Sequence, residues 1–594
     1  MKFLKLLALF LLGGPSVTFA YELNLNDSSL PRHWELLTPV AYVSTNVVNT
    51  NTHAIRYYLA SDAYSTSNAT AELNAVRASI GQWLAVSNTY IKFEEAGLVN
   101  PPVDINNNDH SNIIYWVKGT TLVNGGNDDI SGALGVTYAT WNQPSHTIIE
   151  ADIVFNGYTN SSGASNVWFT DFSDTGNTNI FVEGVALHEL GHLLGLAHSP
   201  VGGATMLFRG SSGVNAQAGL SEDDIAGVRT LYPTSAATYG TVRGTVQKNG
   251  SPVLGAQVLI ETSASNLFAG TVTLPNGSYE IKMLPPGQYN IRVAPLDPFV
   301  GTRLCSGYDI AHSANYANNN FANADTAFKP TANVPVTIAA NATNAVNFDV
   351  TDGSPAFRIN YLRVPSASAG SYSIRSTPVG LSVGQSNYFF SVFSSSLPTS
   401  GATFTISGDG LTLGNPTYQP GTVFGGLNGI SMSVSVAGNA TPGLRSVIVE
   451  QGGNVAYANG FFEIKSAMPD YNFDGLDDRF QRQYFAPWTT SLAAPLADPD
   501  GDGMNNLSEY IAGTSPTNAL SLLKMQPIAR TNITATIRWD SVAGKKYQVF
   551  YRTNVAAGSW SNLGSVVTAA GAISSQTDSS ATNEYRFYRV QVLP

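Results

Sequence analysis

The run HELGHLLGLAH at residues 188–198 constrains the fold more than any other segment of the chain. Two histidines four positions apart leave the same side of an α-helix, because the helix has 3.6 residues per turn. Gly195 can adopt a left-handed backbone conformation, which ends the helix and turns the chain back. Three neutral protein ligands leave a fourth position open, as in catalytic zinc sites. The run therefore predicts a Zn²⁺ ion held by His188, His192 and His198.

Glu189 directly follows the first of these histidines and lies on the flank of the same helix face. From there its carboxylate can hydrogen-bond a water at the metal without itself binding the ion. Zinc lowers the pKa of such a water towards neutrality, so we expect Glu189 to act as general base in attack on a peptide carbonyl. Apolar residues between positions 181 and 187 predict a buried helix from about residue 180 to residue 196.

The pattern His-Glu-x-x-His-x-x-Gly-x-x-His resembles the signature of the metzincin proteases, and two further features are similar to the matrixin branch. Met206 stands eight residues after His198, where matrixins have the methionine turn, and Ser199 is the matrixin choice after the third histidine. Residues 220–232 are similar to the matrixin C-terminal helix. Phe208 stands where other metzincins have a tyrosine ligand, so the resemblance implies that three histidines complete the protein ligand set. It also implies a zinc endopeptidase acting on proteins or peptides.

By the same resemblance, residues 133–138 look like the edge strand that pairs with an extended substrate. Leu134, Gly135 and Val136 are therefore the predicted substrate-binding residues of this strand. Strand addition gives affinity through backbone hydrogen bonds, so selectivity requires a side pocket. The resemblance indicates that Phe208 lines such a pocket and favours an apolar side chain.

A second metal-binding pattern occupies residues 498–509 and matches a twelve-residue calcium loop. Acidic residues recur at alternate positions, a glycine stands at the sharp turn, and a glutamate closes the loop. A short helix is expected to follow. The predicted Ca²⁺ ligands are Asp498, Asp500, Asp502, the Met504 carbonyl, Asn506 and Glu509.

An imperfect copy of this loop precedes it, with Gln481 where the closing glutamate is expected. Glutamine offers one neutral oxygen in place of two charged ones, so weaker Ca²⁺ binding is predicted. The pair resembles dockerin and thrombospondin type 3 repeats, which implies a structural role for calcium. The predicted ligands of the weaker loop are Asp470, Asn472, Asp474 and Asp478.

The length of 594 residues exceeds what one hydrophobic core supports, and only 12% of residues are charged. Short alternating strands with Asn-Gly and Pro-Gly turns after residue 234 predict antiparallel β-sandwiches. Residues 255–289 resemble a carboxypeptidase-regulatory-like or Cna-B-like module. The predicted fold is multidomain, with an α/β (α+β) metzincin catalytic domain, several antiparallel β-sandwich modules and a short EF-hand-like calcium segment. The predicted boundaries are 1–20 (signal peptide), 21–234 (catalytic domain), 238–351 (regulatory-like module), 355–466 (immunoglobulin-like module), 468–518 (calcium segment) and 522–594 (terminal β-rich module).

The first residues predict export, since a basic start precedes an apolar run from Leu6 to Leu12 and small residues lead up to Ala20. No other stretch approaches ~20 continuous apolar residues, so no transmembrane segment is expected in a secreted, extracellular protein. The net charge of −11 disfavours nucleic acid as a partner. We expect a monomer whose β-modules bind extracellular polysaccharide or cell-surface material. The alternative is an adhesin in which these modules hold the function and the metalloprotease domain is vestigial.

Overall fold

The computed structural model describes residues 31–38, 40–158, 166–176, 179–208, 210, 213–214, 216–296, 323–365, 372–375, 378–424, 426–554, 559–582 and 585–593. The predicted signal segment, residues 1–20, lies outside this described part of the chain. Contacts divide the chain into two compact units, Met1–Tyr471 and Asn472–Pro594. Among the described helices, none has the length and apolar character needed to cross a bilayer.

The first unit begins with an α/β region built on one mixed sheet. The mixed sheet contains β1 (Val48–Asn49), β2 (Ala54–Ala60), β3 (Phe93–Val99), β4 (Ile113–Val117), β7 (Gly135–Trp141) and β8 (Ile148–Asn156). Two separate pairs of short strands accompany it, β5 (Leu122–Val123) with β6 (Asp128–Asp129) and β9 (Trp168–Phe169) with β10 (Ile180–Phe181). Strands β3, β2, β4 and β8 are parallel neighbours, and β7 joins β8 in the antiparallel sense at the end of the sheet. The second edge of β7 has no strand partner among the described residues.

Three helices accompany this sheet: α1 (Ala69–Leu84), α2 (Val182–Leu194) and α3 (Glu222–Leu231). The helix predicted from apolar residues at about 180–196 is confirmed as α2, and α1 packs against it. They pack together through the buried Trp83 of α1, whose indole N–H donates to the Leu187 carbonyl oxygen at 3.1 Å. This packing fixes α2 over the sheet and therefore sets where its histidines lie.

In the β-rich remainder of the first unit, the described residues form nineteen strands in three sheets. Their bounds are β11 (Gly240–Lys248), β12 (Ser251–Pro252), β13 (Ala256–Thr262), β14 (Leu267–Val272), β15 (Ser278–Leu284), β16 (Gly287–Pro295), β17 (Val334–Ile338), β18 (Thr343–Ala345), β19 (Phe348–Asp349), β20 (Tyr361–Pro365), β21 (Tyr372–Arg375), β22 (Val379–Ser382), β23 (Tyr388–Ser394), β24 (Thr403–Ile406), β25 (Leu411–Leu413), β26 (Thr417–Phe424), β27 (Leu427–Val436), β28 (Gly443–Gln451) and β29 (Asn454–Lys465).

One of these sheets crosses the predicted boundary between the regulatory-like and immunoglobulin-like modules. It has eight strands and contains β17, β16, β13 and β14 from the first module together with β28, β29, β22 and β24 from the second. The two groups meet where Leu267 of β14 pairs with Leu444 of β28. This pairing gives two otherwise open strand edges a hydrogen-bonding partner. The modules expected as separate sandwiches thus share a sheet.

Where the structure describes it, the second unit holds two short α-helices, a 3-10 turn at Ser491–Ala493 and two three-stranded sheets. Its elements are α4 (Asp478–Tyr484), α5 (Asn506–Ala512), β30 (Ala529–Arg530), β31 (Ala535–Asp540), β32 (Lys546–Arg552), β33 (Ser561–Thr568), β34 (Ile573–Asp578) and β35 (Phe587–Leu593). The sheets, β30-β31-β34 and β33-β32-β35, enclose a core that includes Trp539 and Tyr547. Helix α5 confirms the helix predicted after the calcium loop.

Candidate metal centre

The three predicted zinc ligands converge at the end of helix α2. His188 and His192 lie four residues apart on the helix, which stops at Gly195 with a φ of 103°. A Cβ atom at Gly195 would lie 2.2 Å from the Arg32 carbonyl oxygen, so the turn has room only for glycine. Beyond the turn His198 approaches the other two imidazoles, and one nitrogen from each ring lies within 4.8 Å of the others.

Hydrogen bonds orient two of these rings so that their free nitrogens can bind a cation. The Nδ1 atoms of His188 and His192 each lie 2.8 Å from a backbone carbonyl oxygen, of Thr205 and Leu196 respectively. A carbonyl oxygen only accepts, so each Nδ1 carries the hydrogen and each Nε2 presents a lone pair. Burial lowers the pKa of both imidazoles, which keeps them neutral. The two Nε2 atoms lie 3.1 Å apart, where the lone pairs repel unless a cation binds both. This donor set suits Zn²⁺.

Glu189 belongs to helix α2, and the edge strand β7 holds its carboxylate in place. Its Oε2 atom accepts a hydrogen bond of 2.7 Å from the Thr137 hydroxyl. Burial raises the pKa of Glu189 to about 7, although the bond from Thr137 acts in the opposite direction. Gly135 of the same strand provides the space, because a Cβ atom there would lie 2.8 Å from the Glu189 Cγ and Oε1 atoms.

Met206 packs directly against the ligand helix. A Cβ atom at Gly191, which lies between the two helical histidines, would come within 2.2 Å of the Met206 sulfur. The preceding residue, Thr205, accepts the hydrogen bond from His188 Nδ1 through its carbonyl oxygen. Its amide and that of Met206 donate to the two carboxylate oxygens of Asp224, at 2.8 and 3.0 Å. The methionine turn implied by the matrixin resemblance is therefore tied both to a predicted ligand and to helix α3.

The predicted substrate-binding residues do not all lie on the metal side of β7. Gly135 lies against Glu189, and Leu134 lies near Gly210, where a Cβ atom would be 3.0 Å from a Leu134 methyl carbon. The side chain of Val136 instead packs on a separate apolar cluster. Successive side chains of a strand alternate in direction, so only the backbone of Val136 is available to a partner at this edge. The Phe208 ring centre lies 6.4 Å from that of His198.

The predicted calcium loop brings its acidic side chains together in the second unit. Carboxylate oxygens of Asp498, Asp500 and Asp502 lie within 4.8 Å of one another. Glu509 is fully buried, and neither of its carboxylate oxygens has a hydrogen-bond partner among the described residues. Burial, together with the charges of Asp500 and Asp502, raises the pKa of Glu509 to about 7. Gly503 provides the sharp turn with a φ of 94°.

The two remaining predicted ligands of this loop, Met504 and Asn506, form hydrogen bonds within the second unit. The Met504 amide donates to Asp502 at 2.8 Å. The Asn506 amide nitrogen donates to the carbonyl oxygens of Leu492 and Ala494 at 2.8 and 2.7 Å, which holds the preceding turn. The Asn506 side-chain oxygen is buried without a hydrogen-bond partner in the described chain, so it remains available to a cation or its water.

The weaker predicted loop has a different internal arrangement. Asp474 Oδ2 accepts hydrogen bonds from the amide groups of Asn472 and Gln481, at 2.9 and 2.7 Å. The Gln481 amide also donates to the Ala493 carbonyl oxygen at 2.9 Å. Asp478 is buried in the first turn of α4, whereas Asp470 belongs to the first compact unit. Amide N–H groups thus face the carboxylate that the sequence predicted as a Ca²⁺ ligand.

Sequence reasoning missed three buried residues that accept or donate hydrogen bonds at the predicted site. Thr137 bonds to Glu189, Asp224 to the methionine turn, and Asp223 to the hydroxyl of Ser199, next to His198. Thr137 was counted only within the edge strand, and Asp223 and Asp224 only within helix α3. Asp224 carried a local signal, since Ser221 and Asp224 form a capping box at the start of α3. The hydrogen bonds of Asp224 to the methionine turn and of Thr137 to Glu189 join segments that are distant in sequence. Such contacts leave no recognisable pattern in the sequence.

Comparisons with known proteins agree with this geometry. Residues 49–233 match the family model described as Matrixin, and residues 241–296 match the model described as Carboxypeptidase regulatory-like domain. This chain carries a matrixin domain. The resemblances to matrixins and to the regulatory-like module are therefore confirmed, while the immunoglobulin-like and calcium modules stay predictions.

Two curated relatives from Arabidopsis thaliana match part of the chain. Metalloendoproteinase 4-MMP is 29% identical over 164 residues, which cover 27% of this chain and 39% of that protein. Metalloendoproteinase 5-MMP is 49% identical over 55 residues, which cover 9% of this chain and 15% of that protein. The chain thus spans less than half the length of either relative.

Two solved structures that match part of the chain are only weakly similar to it. Klebsiella pneumoniae 5-hydroxyisourate hydrolase is 15% identical, with a TM-score of 0.13, and covers 23% of this chain and 90% of its own. The minor pilin GBS52 of Streptococcus agalactiae is 16% identical, with a TM-score of 0.13, covering 24% and 51%. Likeness at this level carries no functional argument.

Proposed function

We propose that the protein is a secreted zinc endopeptidase that hydrolyses peptide bonds of extracellular proteins. The observation that carries this proposal is the convergence of two imidazole lone pairs, 3.1 Å apart, beside the buried carboxylate of Glu189. The matrixin match and the printed names of the two relatives support the reaction class. Export is proposed from the signal-like composition of residues 1–20.

In this proposal His188, His192 and His198 hold the zinc ion. When bound, zinc supplies the positive charge that polarises a peptide carbonyl and acidifies water. Glu189 accepts the proton of the attacking water and returns it to the leaving amine nitrogen. Thr137 restricts the rotation of the Glu189 carboxylate through its hydrogen bond, so that the second oxygen is directed towards the reacting groups. Met206 packs against Gly191 and keeps the ligand helix from shifting.

The substrate is proposed to bind as an added strand along the open edge of β7. An extended peptide there would form backbone hydrogen bonds with Gly135 and Val136, next to Glu189. Leu134 and Phe208 lie near the chain that follows the third ligand and would border an apolar pocket for one substrate side chain. We therefore propose cleavage next to an apolar residue.

We further propose that residues 498–509 bind one Ca²⁺ ion for structural reasons. A buried glutamate with two oxygens lacking partners, next to three converging aspartates, is costly without a cation. Ca²⁺ prefers such oxygen ligands. The loop 470–481 is proposed to bind Ca²⁺ more weakly, since amide groups already donate to Asp474.

The test is cleavage of casein or gelatin by the purified full-length protein. Wild type should cleave, and both a zinc chelator and Glu189→Ala should abolish cleavage while the variant still binds one zinc ion per chain. A fully zinc-loaded wild type as inert as the variant would instead favour the adhesin, in which the β-modules bind polysaccharide or cell-surface material and the metal domain is vestigial.

A further inference from the structure

The terminal β-rich module differs in charge from the rest of the chain. Residues 522–594 contain eight lysines and arginines and three acidic residues, a balance of +5 in a chain whose net charge is −11. The basic residues are Lys524, Arg530, Arg538, Lys545, Lys546, Arg552, Arg586 and Arg589, and the acidic ones are Asp540, Asp578 and Glu584. A basic module in an acidic chain indicates a separate, anionic partner.

Three of these cations share one face of the sheet β33-β32-β35, here called the basic face. Lys546 and Arg552 occupy β32, and Arg589 of β35 pairs with Phe550 of β32. Side chains alternate along a strand, so these residues lie opposite Tyr547 and its neighbours, which form the core. Lys546 and Arg552 stand six residues apart, or ~20 Å along the strand.

The two arginines of the basic face stack on aromatic rings. The guanidinium carbon of Arg552 lies 4.4 Å from the Trp560 ring centre, and that of Arg589 lies 4.9 Å from Trp560 and 4.7 Å from Phe550. Among the described residues, the guanidinium groups of Arg552 and Arg589 and the ammonium group of Lys546 form no ion pair and no hydrogen bond. The Arg552 Nε atom is buried, so only its terminal nitrogens can reach a partner. Stacking fixes the guanidinium planes and leaves their N–H groups for an anion.

We propose that the basic face binds an acidic polysaccharide that carries carboxylate groups. Each arginine can donate two parallel hydrogen bonds to a carboxylate, and a row of cations over ~20 Å fits a linear polymer with repeated charges. Nucleic acid fits less well, because the guanidinium groups already cover the ring faces on which bases would stack. The inference goes beyond the proposed function and is independent of peptidase activity.

Binding of full-length protein to polygalacturonate, with highly methyl-esterified pectin as the uncharged comparison, tests the proposal. The double variant Arg552→Gln/Arg589→Gln should bind polygalacturonate at least about tenfold more weakly. The control Lys524→Gln/Arg538→Gln removes the same charge from the same module and should retain most of the affinity. Arg552→Lys/Arg589→Lys should bind with intermediate affinity, because the charge remains while the paired donors are lost.

Thermal unfolding of each variant checks that the module is folded. If Arg552→Gln/Arg589→Gln is unfolded, Arg552→Lys/Arg589→Lys is compared with wild type instead. Equal loss in the control and the face variant would overturn the proposal, since net charge alone would then explain binding. Tighter binding to single-stranded DNA than to polygalacturonate, or no binding to either, would also overturn it.

A separate observation in the first unit concerns the loop that carries the third zinc ligand. Residues 199–206 are covered by strands of both following β-modules. Val201 and Ala204 are fully buried in one cluster with Leu259, Leu267 and Leu444. The loop glycines have no spare room: a Cβ atom at Gly203 would lie 2.0 Å from a Leu444 methyl carbon, and one at Gly202 would lie 2.4 Å from the Asn459 carbonyl oxygen.

A buried carboxylate joins the same loop to the regulatory-like module. Asp223 accepts a hydrogen bond of 2.6 Å from the Ser199 hydroxyl, next to His198 in the chain. Its other oxygen accepts one of 2.8 Å from the Gly270 amide of β14. The Asp223 side chain is completely buried, so this link is shielded from water.

We infer that the two β-modules hold His198 in its zinc-binding position, with Leu444 as a positioning residue about 250 residues away in sequence. The inference rests on the proposed zinc binding. Because Leu444 fills the space above Gly203, shortening it would free the loop between His198 and Met206. The third ligand would then lose its fixed geometry, whereas the two helical ligands would keep theirs.

Leu444→Ala and Leu381→Ala in the full chain form a matched pair, since Leu381 is also buried in the second β-module but packs in a different cluster. Leu444→Ala should weaken zinc binding severalfold and alter the visible absorption of the Co²⁺-substituted protein. Leu381→Ala should lower the unfolding temperature and leave both signals unchanged. If wild type binds zinc and the two variants give the same zinc affinity and Co²⁺ spectrum, the inference is wrong. A wild type without zinc affinity would contradict the proposed function instead.

Discussion

The zinc centre and the calcium loop 498–509 differ in how far each is completed by the protein itself. Around the zinc centre, the outer nitrogens of His188 and His192 and one oxygen of Glu189 all have hydrogen-bond partners. In the calcium loop, both oxygens of the buried Glu509 lack one within the described chain. We therefore predict that folding orders the proposed zinc ligands in advance, whereas the loop 498–509 needs Ca²⁺ for its stability.

The largest expected effect is on catalysis at the preordered site. Glu189→Ala should lower kcat by about 10³-fold, because general-base catalysis contributes about 10²–10⁴-fold. Zinc content should stay at one ion per chain, since the histidine partners are unchanged. Peptidase assays with metal analysis test this, and Glu183→Ala, on the same helix, is the control. Loss of zinc in the Glu189 variant would show that the centre is not preordered.

The next largest effect should be on stability at the calcium loop. Removing Ca²⁺ should destabilise the second unit by about 4 kcal/mol when the reference buffer holds Ca²⁺ at about a thousand times Kd. Scanning calorimetry with and without a calcium chelator measures this shift. Glu509→Gln should unfold at the lower temperature even with Ca²⁺ present. If the unfolding temperature does not change with calcium, the loop does not need the ion for stability and the proposed difference between the two sites is wrong.

A smaller effect should follow from changing the turn that ends α2. Gly195→Ala should destabilise the first unit by about 2–4 kcal/mol, combining a left-handed backbone cost of about 1–2 kcal/mol with a clash against the Arg32 carbonyl oxygen. Gly250→Ala is the matched control, since its φ is also positive but a Cβ atom there meets nothing within 4 Å. Denaturant unfolding should separate the two variants, and equal costs would exclude a role for the close contact.

The smallest effect should appear in the weaker loop. Gln481→Glu should raise its Ca²⁺ affinity roughly tenfold, because a second charged oxygen replaces an amide that donates to Asp474. Calorimetric titration should then give two comparable sites where wild type gives one strong and one weak. An unchanged titration would mean that the backbone of this loop, and not its closing residue, limits binding.

The sequence predicted the local parts of the site well. Histidines four residues apart, followed by Gly195, were sufficient to predict a helix, its end and the convergence of three rings, because all three depend on backbone geometry over eleven residues. Met206 was identified through the resemblance to matrixins, in which the methionine turn stands at this distance from the third histidine. These features involve residues close together in the chain, so local sequence patterns are enough to predict them.

What the sequence did not predict depends on contacts between distant segments. The spacing of β7 could not tell which face Val136 would occupy, since strand register fixes the direction of every side chain. The bonds from Thr137 to Glu189 and from Asp223 to Gly270 join segments 52 and 47 residues apart. The pairing of Leu267 with Leu444 is more distant still and turned two predicted modules into neighbours in one sheet.

That shared sheet has a consequence for the inheritance of this architecture. A crossover near residue 234 would separate the loop glycines from the strands that pack against them. The recipient chain would then gain the matrixin domain without the β-strands that cover its loop. We therefore expect that exchange of the block from the start of the matrixin domain to the end of β29, at Lys465, keeps the loop and these strands together. Chimaeras joined at either position would reveal which segment evolution can exchange.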